Sequence, residues 1–325
     1  MTESEVPLVS VCIPTKNPGA IFKRVLSAVL DQSVTFNYEV IIVDSGSTDG
    51  TIEFIENFDV ANIKLLKISP EDFGHGKTRN YAISQSLGEF AVMITHDALP
   101  KNREWLKNLI EPFFNSEKVA GVFGRHEAYE DASIFTKRDI KLHFDNFNAA
   151  EHIVSLKDKE RYDRDVGHRQ VLHYFSDNNA ALRKSVWNKI PYPDVDFSED
   201  QLWAKKIIEC GYQKAYANDA IVYHSHNYDF SQTFRRSYDE SRALKKLFGY
   251  NICPSILNVI YQTLACSKRD IPYLKSVLGN CSFKEKIKIV NHHFLKQFGY
   301  FLGNNFPNNK FIFRMVSLDN SIKRN

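Results

Sequence analysis

Four short segments carry the residue types that could do chemistry. Asp44-Ser45-Gly46-Ser47-Thr48-Asp49-Gly50 follows an apolar run and precedes a helical pattern. Its small hydroxyls and glycines leave backbone N–H groups free for a phosphate or nucleoside, and Asp44 brings a carboxylate for a base or ribose. A capped strand-to-helix turn would use the same residues. Thr95-His96-Asp97-Ala98 ends another apolar run and sets a second carboxylate at the same level. Asp97 could be a helix cap, but Pro100 and Asn102 already supply turn and cap chemistry. In Phe197-Ser198-Glu199-Asp200-Gln201-Leu202-Trp203, Ser198 reads as a cap and the two acids fall in a first turn. Acids there complement the helix dipole, and they are also the type that serves as a general base. Tyr223-His224-Ser225-His226 alternates, so on an extended segment both imidazoles lie on one side. Joined with Asp97 they make a partial divalent-metal site; apart from it they are two surface histidines.

A fifth segment, Phe73-Gly74-His75-Gly76-Lys77-Thr78-Arg79-Asn80, contains Gly-Lys-Thr and so invites a phosphate-loop reading. That loop needs a further glycine five positions before the one preceding the lysine, and Glu71 stands there. A glycine-hinged turn into a helix, with Arg79 facing the crevice to meet a diphosphate, fits better.

The elements that must position these residues alternate over the first hundred positions. Leu8 to Ile13, Val40 to Val43, Ile63 to Ile68 and Phe90 to Ile94 read as buried strands. Ile21, Phe22, Val25, Leu26, Val29 and Leu30 recur at helical spacing between the first two. Further helices are expected from a Ser47 or Thr48 cap, from about Lys77 to Ser86, and after Pro100 around Trp105, Leu106, Leu109 and Ile110. The pattern is that of an α/β protein with a parallel sheet covered by helices, its ligand crevice at the carboxyl ends of the strands. From about 125 to 170 the periodicity fades and charge rises, which reads as a charged helical insert. Ala215 to Tyr223 is strand-like, and after Asp229 the chain reads as helical. In the last long helix Ile287, Val290, Phe294, Phe298, Phe301 and Leu302 form an apolar stripe among lysines. It fits either packing on its own domain or an interfacial helix on a membrane surface.

Composition excludes several classes. A length of 325 residues suits two modest domains, and 43% hydrophobic with 25% charged residues excludes global disorder. A formal charge of +3 cannot supply the phosphate attraction of a dedicated nucleic-acid binder, so no nucleic-acid partner is expected. The 24 Phe read mainly as core. The five cysteines lie at neither metal nor redox spacing and read as reduced, buried hydrophobes of a cytosolic protein. The acidic N-terminus reads as no secretory signal, and no apolar stretch approaches the roughly 18 residues that span a bilayer.

Taken in order, these motifs resemble family 2 glycosyltransferases of the GT-A fold, from about Val9 to Arg236. The run Phe73 to Asn80 resembles in particular the bacterial rhamnosyltransferases of O-antigen and capsular polysaccharide synthesis. The resemblance implies a nucleotide-sugar-binding sheet flanked by helices over 1–228 and a C-terminal helical appendage over 229–325. It implies an inverting enzyme that moves L-rhamnose from dTDP-L-rhamnose to a lipid-linked glycan. Pro14, Thr15 and Asp44 would hold the nucleoside, with Asp44 meeting the pyrimidine N3–H, and Arg79, His96 and Arg235 would contact the donor. Asp97, with His224 and His226, would bind the divalent metal, Mn²⁺ or Mg²⁺. Asp200 would be the general base and Glu199 its fallback.

Two departures stand out. The usual Asp-x-Asp is reduced to Thr95-His96-Asp97, which favours Mn²⁺, and Arg236 stands where Gln-x-x-Arg-Trp has Trp. The alternatives are a family 2 transferase using a UDP-hexose and a non-catalytic nucleotide-sugar-binding paralogue; the intact Ser198-Glu199-Asp200 argues against the latter. A nucleotidyltransferase would want a glycine-rich basic loop after the first strand, where Pro14-Thr15-Lys16-Asn17 stands. Expected partners are a dTDP-sugar and a lipid-linked saccharide, with a membrane surface and an oligomer contact both open. The expected location is cytoplasmic, either free or peripheral on the inner face of the cell membrane.

Overall fold

A computed structural model of the chain describes residues 6–58, 62–195 and 197–322. Two compact units divide it, Met1–Ala132 with Thr136–Ser225, and Ser133–Phe135 with His226–Asn325. The first is built on one sheet. Its elements run β1 (Val9–Thr15), α1 (Ala20–Leu30), β2 (Tyr38–Asp44), α2 (Thr51–Glu56), β3 (Ile63–Lys67), α3 (His75–Ser84), β4 (Phe90–Ile94) and β5 (Leu99–Pro100). Then follow α4 (Trp105–Ile110), α5 (Pro112–Asn115), β6 (Val119–Glu127), α6 (Ile134–Asn148), β7 (Ile153–Val154), α7 (Lys159–Arg164) and α8 (Val166–His173). The unit ends with β8 (Asn179–Arg183), α9 (Lys184–Trp187), α10 (Glu199–Glu209) and β9 (Gln213–Tyr223).

Strands β3, β2, β1 and β4 pair in parallel. Every residue of β1 but Pro14 is buried, because helices cover both faces of the sheet. Val9, Val11 and Ile13 enter one hydrophobic core and Cys12 the other, as period-2 alternation requires. Helix α1 buries Phe22, Val25, Leu26 and Val29, each contributing about 1.5–3 kcal/mol. Only part of the phenylalanine content is core: Phe22, Phe90, Phe113, Phe123, Phe144 and Phe175 are buried, with Phe123 among Phe147, Tyr174, Phe175 and Tyr216, whereas Phe114, Phe283 and Phe311 are exposed.

The structure corrects several expectations. The sheet is mixed, because β8 inserts antiparallel between β4 and β6, and β5 pairs antiparallel with β9. Strand β8 is short and alanine-rich, and β6 is interrupted by Gly121 and Gly124, so neither shows alternation. The charged stretch is not helical throughout: 125–127 finish β6, and β7 pairs with β9. Helix α2 is preceded by Gly50 at φ 86°, not capped by Ser47 or Thr48. Ser198 does stand at the N-cap of α10, but in left-handed backbone at φ 57° and with no side-chain cap bond. Among the cysteines, Cys12, Cys253 and Cys281 are buried while Cys210 is exposed, and all five are free.

The register brings the chemistry to one end of the sheet. Thr15 pairs with Asp44 at the carboxyl ends of β1 and β2, and Ile94 of β4 pairs with Asn179 at the start of antiparallel β8. Glu127 of β6 and Leu99 of β5 both pair with Tyr223, so His224 leaves the sheet at that same end.

The second unit is helical. Helix α11 (Phe230–Phe248) starts at a capping box of Asp229 and Gln232. It is followed by α12 (Ile256–Leu278), α13 (Phe283–Asn305), α14 (Lys310–Val316) and α15 (Leu318–Ile322). Gly299 and Gly303 of α13 lie against the α11 backbone: a Cβ on either would stand 2.4 Å from a carbonyl oxygen, of Phe234 or Tyr238. The apolar stripe expected on α13 sits off its buried face, which is formed by Ile289, His293, Gln297, Gly299, Gly303 and Asn304.

Candidate active site

The crevice floor is a hydrogen-bonded knot between two turns. Thr15 Oγ1 donates to Asp44 Oδ2 at 2.9 Å, and Ser47 Oγ to the same oxygen at 2.6 Å. Asp44 Oδ1 accepts from the N–H of Gly46 and of Ser47 at 3.0 and 2.8 Å. A carboxylate has about four acceptor positions, and these four bonds fill them. Asp44 is fully buried, so it shapes the turn instead of presenting an open oxygen to a pyrimidine. Gly46 allows that shape: its φ is +89°, and a Cβ would come within 2.9 Å of Pro70. Asn17 closes the knot, with Thr48 N–H donating to its side chain at 2.7 Å and its own N–H donating to Ser47 Oγ at 2.8 Å. Half-buried Pro14 stands beside it.

Past β4, His96 and Asp97 are half-buried, and Asp97 Oδ2 lies 3.6 Å from His224 Nε2. Burial works to raise the Asp97 carboxyl, but the hydrogen bond and charge of His224 prevail and hold it well below the ordinary carboxylate range. An oxygen and an imidazole nitrogen at this spacing are a donor pair that borderline divalent cations accept. Neighbours orient both groups. Tyr129 donates to the Asp97 carbonyl at 2.8 Å, and Asn178 meets His224 Nδ1 at 3.4 Å. His226 is the first residue of the second unit, two positions on in the chain.

The acids of α10 belong to a buried charge cluster. Arg79 was expected to face the crevice, but its side chain is 8% exposed and lies 3.1 Å from Asp177 Oδ2 and 2.7 Å from Glu199 Oε1. Tyr192 donates to the other Asp177 oxygen at 2.6 Å. Asp200, half-buried, accepts from the N–H of Gln201 at 2.7 Å and of Asp177 at 3.3 Å. Burial pushes the Asp177 carboxyl up to about 7 against the pull of Arg79, with Glu199 adding to the rise. Burial, then Glu199 and Asp177, push Asp200 well above the ordinary carboxylate value. Glu199 is engaged by Arg79, whereas no cation salt-bridges Asp200 among the described residues. The left-handed Ser198 just before them stores about 1 kcal/mol of strain, as backbone at functional sites commonly does.

The Gly74–Asn80 run builds this cluster. A Cβ on Gly76 would fall 2.2 Å from the Pro193 carbonyl oxygen, so α3 lies directly on the segment leading to α10. Asn80 Oδ1 accepts from Trp187 Nε1 at 2.8 Å and from Tyr192 N–H at 3.0 Å, while its Nδ2 donates to the Tyr192 carbonyl at 2.9 Å. Arg235 is placed in the second unit, where it donates to the carbonyls of Val316 at 3.0 Å and Ser317 at 2.8 Å. Gln232, which begins the Gln-x-x-Arg segment, completes the α11 capping box with Asp229. Asp177, Asn178, Tyr129 and Tyr192 were missed by sequence reasoning. The one signal was the polar cluster Ser176-Asp177-Asn178-Asn179 before an apolar triplet.

The mixed sheet gathers the Thr15–Asp44 turn, the Asp97–His224 pair and the α10 acids at one end, and its fold is that of GT-A glycosyltransferases. The chain belongs to glycosyl transferase family 2, whose model matches residues 10–190. It is 32% identical over 234 residues to the O-antigen chain rhamnosyltransferase RfbN of Salmonella typhimurium, covering 71% of this chain and 70% of that protein. It is 31% identical over 238 residues to the O-antigen chain rhamnosyltransferase WbaN of Salmonella anatum, covering 72% and 71%. Among solved structures, the mannosyltransferase PcManGT of Pyrobaculum calidifontis, in complex with GDP-Man and Mn²⁺, superposes with a TM-score of 0.59. That match covers 94% of this chain and 89% of the other at 17% identity, and so speaks for the fold.

Replacing Arg79 by Met leaves two buried carboxylates without their counter-charge, which should cost about 3–5 kcal/mol of unfolding free energy by urea titration. Loss of Arg79 raises the folded-state value of Asp177 above about 7, so its stabilising protonated form is increasingly lost as pH rises. The deficit against wild type should therefore widen above about pH 7, where Asp177 of the wild type has ionised and that of the variant has not. An unchanged titration at every pH would show that the cluster carries no weight in the fold.

Proposed function

We propose that this glycosyltransferase is an inverting rhamnosyltransferase. It moves L-rhamnose from dTDP-L-rhamnose to a hydroxyl of a lipid-linked glycan in surface polysaccharide synthesis. The observation that carries this reading is its likeness, over 71% of its length, to an O-antigen chain rhamnosyltransferase. The site geometry supports the chemistry. Asp200 serves as the base: its environment disfavours charge, which gives it proton affinity, and no cation salt-bridges it among the described residues. As the acceptor oxygen forms its bond to the anomeric carbon, Asp200 takes the hydroxyl proton, and the bond from that carbon to the nucleoside diphosphate breaks with its electrons on the departing phosphate.

The base must be fixed opposite the leaving group. Glu199 and Asp177 hold Arg79, and the Asp177 N–H holds Asp200, so the cluster positions the base instead of touching the donor. Thr15, Asp44 and Ser47 rigidify the turn that receives the nucleoside, with Pro14 lining it. His96 reaches the donor from the metal turn. Asp97 and His224 would hold Mn²⁺ or Mg²⁺, which would neutralise charge on the leaving diphosphate. The acceptor is met at the cytoplasmic face of the membrane. No helix among the described residues is long and apolar enough to cross a bilayer, so the attachment we propose is peripheral.

Release of nucleotide from a panel of donors, with a lipid-linked acceptor extract, tests the assignment. dTDP-rhamnose should be turned over and UDP-glucose and UDP-galactose should not; preference for a UDP-hexose overturns the rhamnosyl reading and leaves the family. Asp200→Asn should bind donor as wild type does and lose transfer by about 10²- to 10⁴-fold. An undiminished rate would move the base elsewhere. Asp97→Ala should lower donor affinity on the order of 10-fold or more in Mn²⁺ and not in its absence, measured by calorimetry. Equal affinity of variant and wild type in Mn²⁺ would leave Asp97 a turn residue only.

A further inference from the structure

The second unit buries polar groups and exposes apolar ones. Helix α12 turns Thr263, Ser267 and Asp270 inward with Val259 and Leu274, and Asp270 meets His293 of α13 at 2.9 Å. On its outer side Leu257 is 74% exposed, Ile260 51%, Tyr261 67% and Leu264 62%. Their i, i+3, i+4, i+7 spacing makes one stripe, which a stably folded helix in water ordinarily packs inward. At about 100° per residue the same direction continues to Lys268 and Lys275, both exposed. Helix α13 opens in like manner, with Phe283 78% exposed beside exposed Lys284, Lys286 and Lys288.

Charge is divided as unevenly. Residues 226–325 hold 16 Lys and Arg against 6 Asp and Glu, a net +10, so the rest of the +3 chain is −7. A stripe of large apolar side chains running into lysines, on a unit of +10, repels a second copy of itself and complements an anionic apolar boundary. Leucine and isoleucine enter the acyl boundary, tyrosine suits the headgroup level, and lysine ammoniums reach lipid phosphates.

We propose that the outer face of α12, from Leu257 to Leu264 and on to Lys268 and Lys275, docks the second unit on a bilayer surface bearing anionic headgroups. This deepens the peripheral attachment proposed above by naming its surface, and it moves that surface from α13 to α12.

The test is flotation of the full chain with vesicles of phosphatidylcholine plus phosphatidylglycerol, and with phosphatidylcholine alone, in low and high salt. Wild type should bind the anionic vesicles in low salt and release in high salt. The triple substitution Leu257→Gln, Tyr261→Gln and Leu264→Gln should weaken binding roughly tenfold or more, with an unchanged circular dichroism spectrum. Lys268→Glu with Lys275→Glu should weaken it about tenfold or more and remove much of the salt dependence. Binding of the triple variant equal to wild type overturns the proposal. So does failure of wild type to float at any salt, or a wild-type dimer in light scattering that the triple variant dissolves. Nucleotide release from dTDP-rhamnose, measured in parallel, keeps the two readings apart. Vesicle binding without use of that donor removes the rhamnosyl assignment and keeps the docking face, and use of the donor without vesicle binding does the reverse.

Discussion

The Arg79 guanidinium is the interaction on which the active-site end of the first unit depends. A planar fork of donors, almost entirely removed from water, faces Asp177 on one edge and Glu199 on another. Burying that charge is expensive, and only paired geometry offsets the expense. Each partner sits on a different element: α3 carries the arginine, the approach to β8 carries Asp177, and the first turn of α10 carries Glu199. The cluster thus fixes three otherwise independent pieces of chain with respect to one another, and Asp200 is held between two of them. More carboxylates than cations gather there, and burial together with the excess negative charge keeps proton affinity high in Asp200.

The same logic explains why the Gly74–Asn80 run is so demanding in sequence. Gly76 admits the Pro193 carbonyl, Arg79 pairs the acids, and Asn80 spends both ends of its amide on Trp187 and Tyr192. A segment that looks like a phosphate loop by composition is, by contact, a clasp on the loop that delivers α10. Substrate selectivity associated with such a run would act through the placement of the acids, not through contact with the departing nucleotide.

How much of this could be read from the chain depends on the range of the forces involved. Strands β1, β2 and β4 and helix α1 were legible because burial on both faces leaves continuous apolar runs, and one-sided burial leaves a 3.6-residue period, whereas β3, expected as a buried strand, is an edge strand with no buried residue. Asp44 and Asp97 were legible as candidates because they end such patterns, and Glu199 and Asp200 because they open one. Strand β8 was not: Ala180, Ala181 and Leu182 carry no β signal, and only their neighbours β4 and β6 make them extended. Nor could the inward turn of Arg79 be seen, since its partners lie about a hundred residues away in sequence. The stripe on α13 was visible but did not mark the buried face, because Gly299 and Gly303 decide which face meets α11, and glycine contributes nothing to an apolar pattern.

Asp97 and Asp200 stand at the same end of one sheet, and their surroundings drive their proton affinities in opposite directions. Beside Asp97 an imidazole favours the ionised form, which suits a group that binds cationic charge at every working pH. Around Asp200 burial and two carboxylates favour the neutral form, which suits a group that must accept a proton and release it again. Two chemically identical side chains are thereby separated in proton affinity by environment alone, which fits the distinct tasks proposed for them. In the reading proposed above, the His224 end takes the leaving-group side of the displacement and the α10 end the attacking side. An inverting transfer requires such opposition, since the nucleophile must enter from the face that the nucleotide does not occupy.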